Sequence, residues 1–333
     1  MRRPLLIWLA LTGAALAAFA FALTTGSSSI SPLELTHALF APGDSLADEI
    51  VTKLRLPRAL AAFATGGLLA LAGALMQVLL RNPLADPYVL GLSGGAAVGA
   101  LAAMLAGLGS LFVNLGAAVG ALVAIMLVFA LARRDFARQQ LFGSMDASPR
   151  LLLTGVIIAA GWSAIITIIL TLAPEAKVRG MLFWLMGDLN GAESWAPALI
   201  TLAVCLAVIY PAARDLNVLL RGEALAHALG VRVLALRRTI YLVASIATAL
   251  AVTTAGAIGF VGLVVPHALR LLLGNDQRVL LPASALVGGA LLVAADTVAR
   301  SALAPLQLPV GVITALFGVP AFMFLLMGNP RKT

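Results

Sequence analysis

The sequence is short of charge, of cysteine and of aromatic rings. Charged residues make up 11%, aromatic residues 6%, and there is a single cysteine, Cys205. Soluble domains carry about 25% charged residues. With 62% hydrophobic residues and a mean hydropathy of +1.05, this scarcity excludes a soluble enzyme and a disordered scaffold. One cysteine closes no internal disulfide, which excludes a disulfide-stapled secreted domain. Cys205 lies inside an apolar run and reads as a small buried hydrophobe. Acid is the scarcer sign, 14 residues against 22 basic ones, for a net +8 over 333 residues. Cations signal nucleic acid only as a contiguous patch. Here they sit in short stretches between apolar runs, so no nucleic-acid partner is expected. What remains is an all-α polytopic protein with membrane lipid as its surroundings.

Uncharged runs cover 4–33, 59–80, 87–132, 151–174, 194–213, 239–269, 279–295 and 301–330. A helix needs about 20 apolar residues to cross a bilayer core. The run 87–132 therefore divides, near Gly107-Leu-Gly-Ser110, and 239–269 divides near Thr253-Thr-Ala-Gly256. Ten helices are expected, at about 5–25, 58–80, 89–106, 112–132, 151–172, 195–212, 239–253, 256–272, 279–298 and 309–328. Ten crossings put both termini on one side. With that side cytoplasmic, the cytoplasmic segments hold sixteen basic residues and the outer ones six: Lys53, Arg55, Arg58, Lys177, Arg179 and Arg300. The positive-inside rule favours this orientation. Met1-Arg-Arg3 and the apolar stretch to Leu23 have the outline of a signal peptide. The stretch is longer than such a peptide's apolar region, and cleavage would leave nine helices, so it is read as the first membrane helix.

No Asp, Glu, Lys or Arg falls at a helix centre, which argues against an ion-coupled transporter. His37, His227 and His267 do not cluster with other ligand types, so no metal or haem site is expected; His267 reads as structural. The three lysines, Lys53, Lys177 and Lys332, never follow the glycine pattern of a phosphate-binding loop. If transport is driven by ATP, the ATPase is a separate polypeptide with a cytoplasmic docking surface. The insert from Arg214 to Arg238 is the best candidate. Within it Gly222 and Gly230 bracket a short helix on which Leu225 and Leu229 share a face. An ordinary helical hairpin on the membrane surface explains the same spacing. A channel or secondary transporter stays open on this reading, as does an integral membrane enzyme, for which His267 with Arg270 is the faint candidate.

Several stretches, taken in order, resemble a known family. They are Arg55-Leu-Pro-Arg58, Ala72-Gly-Ala-Leu-Met-Gln77, Arg81-Asn-Pro-Leu-Ala-Asp-Pro87, Leu90-Gly-Leu-Ser-Gly-Gly-Ala96, Leu229-Gly-Val231, Gly256-Ala-Ile-Gly-Phe-Val-Gly-Leu-Val-Val-Pro-His267, Asp296-Thr-Val-Ala-Arg300 and Leu308-Pro-Val-Gly-Val-Ile-Thr314. The set is similar to the FecCD-like permease subunits of type II ABC importers for iron chelates, haem and cobalamin. The likeness runs from about residue 50 to the C-terminus.

The resemblance implies a single permease domain over 1–333 that does no chemistry itself. It implies assembly with a second copy of the chain, two ATP-binding subunits that hold ATP and Mg, and a periplasmic binding protein, in the bacterial inner membrane. It matches Arg55, Arg58 and Arg300 to outer-face positions that meet acidic residues of the binding protein. As exposed groups they suit bidentate carboxylate pairing; Arg55 and Arg58 could instead anchor a helix at the interface. It matches Gly222, Glu223, Ala224, Leu225, Ala228, Leu229 and Gly230 to the coupling helix that seats in the ATPase. Asn82, Pro83 and Leu84 match one cytoplasmic gate and Ser148 with Pro149 the other, though both could be simple turns. Proline at 149 departs from the family pattern. Leu151–Leu172 and Pro309–Met327 match the helices bordering the path, with small hydroxyls at Thr154, Ser163, Thr167 and Thr314. Glycines at 91, 95 and 99, and at 256, 259 and 262, are read as close-packing faces. A ferric siderophore is the expected substrate by frequency of role, with haem and cobalamin in the same family.

Overall fold

The computed structural model describes the chain apart from residues 1, 27, 29, 42, 143–146, 191–194 and 328–333, and the main chain alone at 2–5, 89–90, 129, 132–142, 147–152 and 326. Among the described residues there are helices and no strand. The first, α1 (Arg2–Thr24), is followed by two short helices, α2 (Pro32–Phe40) and α3 (Leu46–Glu49). Both start where sequence chemistry demands. Ser31 and Glu34 exchange bonds in a capping box with Pro32 in the first turn, and Ser45 accepts from the Asp48 N–H. A widened turn, Ile50–Arg55, leads directly into α4 (Leu56–Leu79). Then follow α5 (Leu92–Leu105), α6 (Ser110–Phe142), α7 (Ala147–Leu172), α8 (Glu175–Met186), α9 (Ala196–Ile209), α10 (Ala213–Leu219), α11 (Glu223–Ala228), α12 (Val233–Ala255), α13 (Val261–Leu273), α14 (Gln277–Ser301) and α15 (Val310–Met327).

A helix lies at each expected segment. Among the described residues seven helical stretches are long and apolar enough to cross a membrane; α5, α13 and α15 are apolar but shorter. The 13 residues of α13 cover roughly 20 Å of a core of about 30 Å. It begins at Val261 rather than near 256 because irregular backbone from Gly256 through Phe260 intervenes, with Phe260 itself at φ 70°. Conversely α12 begins at Val233, six residues before the expected 239, since Arg237 lies inside the helix and is buried.

The core is organised around α4, in which every residue from Ala64 to Leu79 is buried. It packs against α1, α9, α12, α13 and α14. Its partners come so close that main chains touch. A Cβ added at Gly66 would strike the main chain of Gly288 on α14, and one at Gly73 the carbonyl of Gly262 on α13. The expected glycine face on α5 is present at Gly95 and Gly99, which oppose Gly120 and Gly116 of α6. Gly91 instead precedes α5 in a left-handed conformation (φ 71°), and Gly259 has open space around it. Around this core, α1, α6, α7 and α15 turn large apolar side chains outward, among them Leu16, Met126, Ile157 and Phe324. Water would expel such faces; a lipid surrounding accepts them.

These contacts predict a sharp contrast between two glycines. Gly73→Ala should lower the melting temperature in detergent, reflecting an overpacking cost of about 1–3 kcal/mol. Gly13→Ala on α1, where an added Cβ meets nothing within 4 Å, should leave it unchanged or raise it. Equal melting temperatures for the two variants would refute the close-contact account.

Candidate functional site

Polar structure gathers at the two ends of α4. Its 24 residues separate those ends by roughly 36 Å.

At the first end, α1 finishes with carbonyls that have no helical partner. Two guanidiniums take them. Arg55 donates from Nη1 to the Leu23 carbonyl at 2.7 Å and the Thr24 carbonyl at 3.0 Å, and from Nη2 to the Ser28 carbonyl and hydroxyl. Arg300 donates from Nη2 to the Ala22 carbonyl. Cations at a helix C-terminus also oppose the negative end of its dipole. Arg58 forks onto Asp296 of α14, with Nε 2.9 Å from Oδ2 and Nη2 2.7 Å from Oδ1. Its remaining Nη1 donates to the side-chain oxygens of Asn190 at 2.6 Å and Gln307 at 3.3 Å. Arg300 Nε stands 3.9 Å from Asp296 Oδ2.

Three cations thus share one carboxylate and one helix end. The expectation that Arg55, Arg58 and Arg300 are exposed is corrected. Arg55 is 6% exposed, and the side chains of Arg58 and Arg300 are 18% and 13% exposed. The physical reason is the supply of acceptors: a guanidinium carries five N–H donors, and α1 and Asp296 offer them partners inside the protein. Asp296, buried at 3%, is the carboxylate that joins Arg58 and Arg300; the sequence motif that contains it gives it no role of its own. Its four-residue spacing from Arg300 was the available signal. Beside Asn190 a cleft of about 810 Å³ opens between α5, α8 and the end of α12, lined among others by Lys177, Trp184, Asp188 and Thr254.

At the second end, α10 and α11 carry the segment 222–230. Gly222 (φ 121°) and Gly230 (φ 80°) make the turns on either side of α11, positions where a side chain would be strained. Ala226 faces inward and is fully buried. Ala224, Leu225, Ala228 and Leu229 face outward, Leu229 at 63% exposure. Glu223 Oε1 lies 3.0 Å from Arg237 Nη1 and 3.8 Å from Arg81 Nη2. The loop Asn82-Pro83-Leu84 is exposed and held by its own turn: Asn82 Oδ1 accepts from the Leu84 N–H at 2.9 Å, and the Asn82 N–H donates to the Gln77 carbonyl at 3.1 Å. Ser148 and Pro149 fall in the first turn of α7, and their side chains lie outside the described residues. Asn217 hooks α10 to the start of α14. Its Nδ2 donates to Asp276 Oδ1 at 2.8 Å and its Oδ1 accepts from the Gln277 N–H at 2.8 Å. His267 packs edge-on to Phe322, ring centroids 6.1 Å apart. Among the described residues no three His, Cys, Asp or Glu side chains gather as metal ligands.

Comparison with known proteins places this architecture. The sequence matches the FecCD transport family over residues 11–328. The chain belongs to that family. It is 45% identical to the cobalamin import system permease protein BtuC of Halobacterium salinarum over 84% of this chain and 74% of the relative. It is 40% identical to the vitamin B12 import system permease protein BtuC of Salmonella paratyphi A over 87% and 88%. A solved inward-facing structure of a metal-chelate type ABC transporter superposes with a TM-score of 0.82 at 29% identity, covering 97% of this chain and 99% of that one. PsaBC from Streptococcus pneumoniae in complex with Fab, at 17% identity and a TM-score of 0.56, shares the fold alone. The FecCD chain is accordingly a multi-pass ABC-transporter permease of the inner membrane.

Two outcomes follow from the geometry. Asp296→Ala leaves Arg58 and Arg300 without their carboxylate in a mostly buried place and should cost about 3 kcal/mol, the low end for a broken buried pair. A detergent melt within error of the parent would refute it. Asp276 is held well below the usual carboxylate range, first by the Arg278 N–H donors and then by Asn217. A carboxyl depressed on folding adds stability that is full above its unfolded pKa, about 4, and is lost as pH falls through the lower folded value. The melting-temperature gap between the parent and Asp276→Asn should therefore be constant from about pH 6 to 8 and close in acid. A gap that widens below about pH 4 contradicts this sign.

Proposed function

We propose that the chain is the membrane subunit of an ATP-driven importer that moves a metal chelate of the cobalamin class into the cytoplasm by alternating access. Two copies enclose the path, two separate ATP-binding subunits hold ATP and Mg, and an external binding protein delivers the substrate. The whole chain acts as one permease domain, with ten crossings and both termini on the cytoplasmic side, where sixteen of its 22 basic residues collect.

The observation that carries this reading is α11. An isolated apolar face of alanine and leucine, pinned at its first residue by Glu223 and turned out of the bundle, is built to enter a groove on a soluble partner. That gives the segment 222–230 its role as the coupling helix, with Asn82, Pro83 and Leu84, and Ser148 with Pro149, as the gates it drives. At the other end, Arg58 is the most exposed of the three arginines. Its Nη1 edge with Asn190 and Gln307 forms the face offered to carboxylates of the binding protein. Arg55 and Arg300 support it by fixing α1. The cobalamin class rests on the names of the two BtuC relatives. The earlier expectation of a ferric siderophore rested on no residue.

Uptake separates these readings. Proteoliposomes holding the permease with its ATPase, and supplied with the binding protein, should accumulate labelled cobalamin only with ATP. Accumulation of a ferric siderophore and not cobalamin overturns the substrate class. Uptake by the chain alone without ATP overturns the ABC mechanism. For docking, Arg58→Lys keeps the charge and loses the fork. It should weaken binding-protein affinity by about tenfold, equivalent to 1.4 kcal/mol. An unchanged affinity removes Arg58 from the docking face.

A further inference from the structure

The coupling segment is joined to the bundle by more than its own chain. Glu223 opens α11, and its carboxylate stands between two arginines from different elements: Arg237 in the first turns of α12 and Arg81 at the end of α4. Arg81 lies two residues past the last residue of α4, Leu79. It holds a left-handed conformation (φ 48°) that is uncommon for a residue with a Cβ, and the loop Asn82–Leu84 begins immediately after it. The root of the proposed gate is therefore tied, side chain to side chain, to the root of the proposed coupling helix.

Charge makes the tie specific. Arg81 and Arg237 stand close enough to repel each other, and the Glu223 carboxylate offsets that repulsion. The Arg237 side chain is 8% exposed, while those of Arg81 and Glu223 are 30% and 28% exposed. Water screens this group less than a surface pair. With the carboxylate neutral, nothing in the triad favours Arg81 staying beside α11.

We infer that Glu223 is a positioning residue that transmits movement of α11 to the gate loop through Arg81, so that displacement of the coupling helix by its partner pulls Arg81 and shifts Asn82–Leu84. This rests on the coupling-helix reading above and names the connection it uses.

The test is the ratio of substrate transported to ATP hydrolysed, in proteoliposomes of permease, ATPase subunits and binding protein. Arg81→Gln removes one side of the Glu223 pair and leaves Leu225 and Leu229 in place, so it should leave ATP hydrolysis and the melting temperature near parental values while lowering the ratio about fivefold, the size expected for coupled neighbours. Arg81→Lys should restore most of it. Glu223→Gln should lower the ratio as well, and the double variant R81Q/E223Q should be no worse than E223Q, since both remove one link. An unchanged ratio in R81Q overturns the inference, as does a double variant whose losses multiply, or hydrolysis falling in step with transport. If the parental chain transports without its ATPase, the coupling-helix reading fails and this inference with it. If the parent is ATP-driven and R81Q matches it, only this inference fails.

Discussion

The main-chain contacts of α4 are the constraint on which the rest of the structure depends. A helix touching its neighbours through long side chains can slide or repack. One that meets α14 at Gly66 against Gly288, and α13 at Gly73 against Gly262, has no side-chain layer to absorb a shift. Close approach of this kind maximises van der Waals packing where lipid offers no hydrophobic drive between helices. It also fixes the position and rotation of α4. Arg58 stands at its start and Arg81 just past its end, so one rigid rod sets the geometry of both polar ends.

The arginine cluster makes sense as a solution to helix termination. A C-terminus beside an apolar bundle leaves up to four carbonyls without partners. Arg55 and Arg300 bring donors to Ala22, Leu23 and Thr24, and a guanidinium can do this for several acceptors at once. The cost is the desolvation of cations. Asp296 offsets part of it by accepting the fork of Arg58 and lying near Arg300. The charge left over at the Asn190 and Gln307 edge is what a negatively charged partner could use. On the proposed docking role, the structural and docking contacts of Arg58 use different atoms of one side chain.

The apolar runs made the long helices legible, because hydrocarbon thickness sets a length that uncharged stretches reveal. They failed where charges are paired. Arg237 looked like the end of a run, yet it lies within α12 because Glu223 meets it. The helix α8 was not foreseen, since Glu175, Lys177 and Arg179 interrupt any apolar count. The site shows the same division. The motif residues Arg55, Arg58, Arg300 and Glu223 could be named from the sequence, while their surroundings could not. Arg55 bonds mainly to main-chain carbonyls, which every residue possesses and no sequence pattern marks. The pairings Arg58 with Asp296 and Glu223 with Arg81 join positions far apart in the chain, so they appear only once α4, α11 and α14 are placed.

Two long helices now connect the same two ends. While α4 runs from Arg58 toward Arg81, α14 runs between Asp276, hooked to Asn217 of α10, and Asp296, forked by Arg58. The short helices α10 and α11 are consequently attached on one side to α14 and on the other to α4 and α12. The two attachments differ in kind. The Asn217 hook consists of reciprocal hydrogen bonds at 2.8 Å and is directional, so it holds α10 firmly. The Arg81 contact at 3.8 Å is an ion pair with flexible side chains, which tolerates movement while still exerting force. On the proposed coupling role, pressure on Leu225 and Leu229 reaches the proposed gate loop through the Arg81 pair, while the 3.0 Å pair with Arg237 keeps α11 against α12.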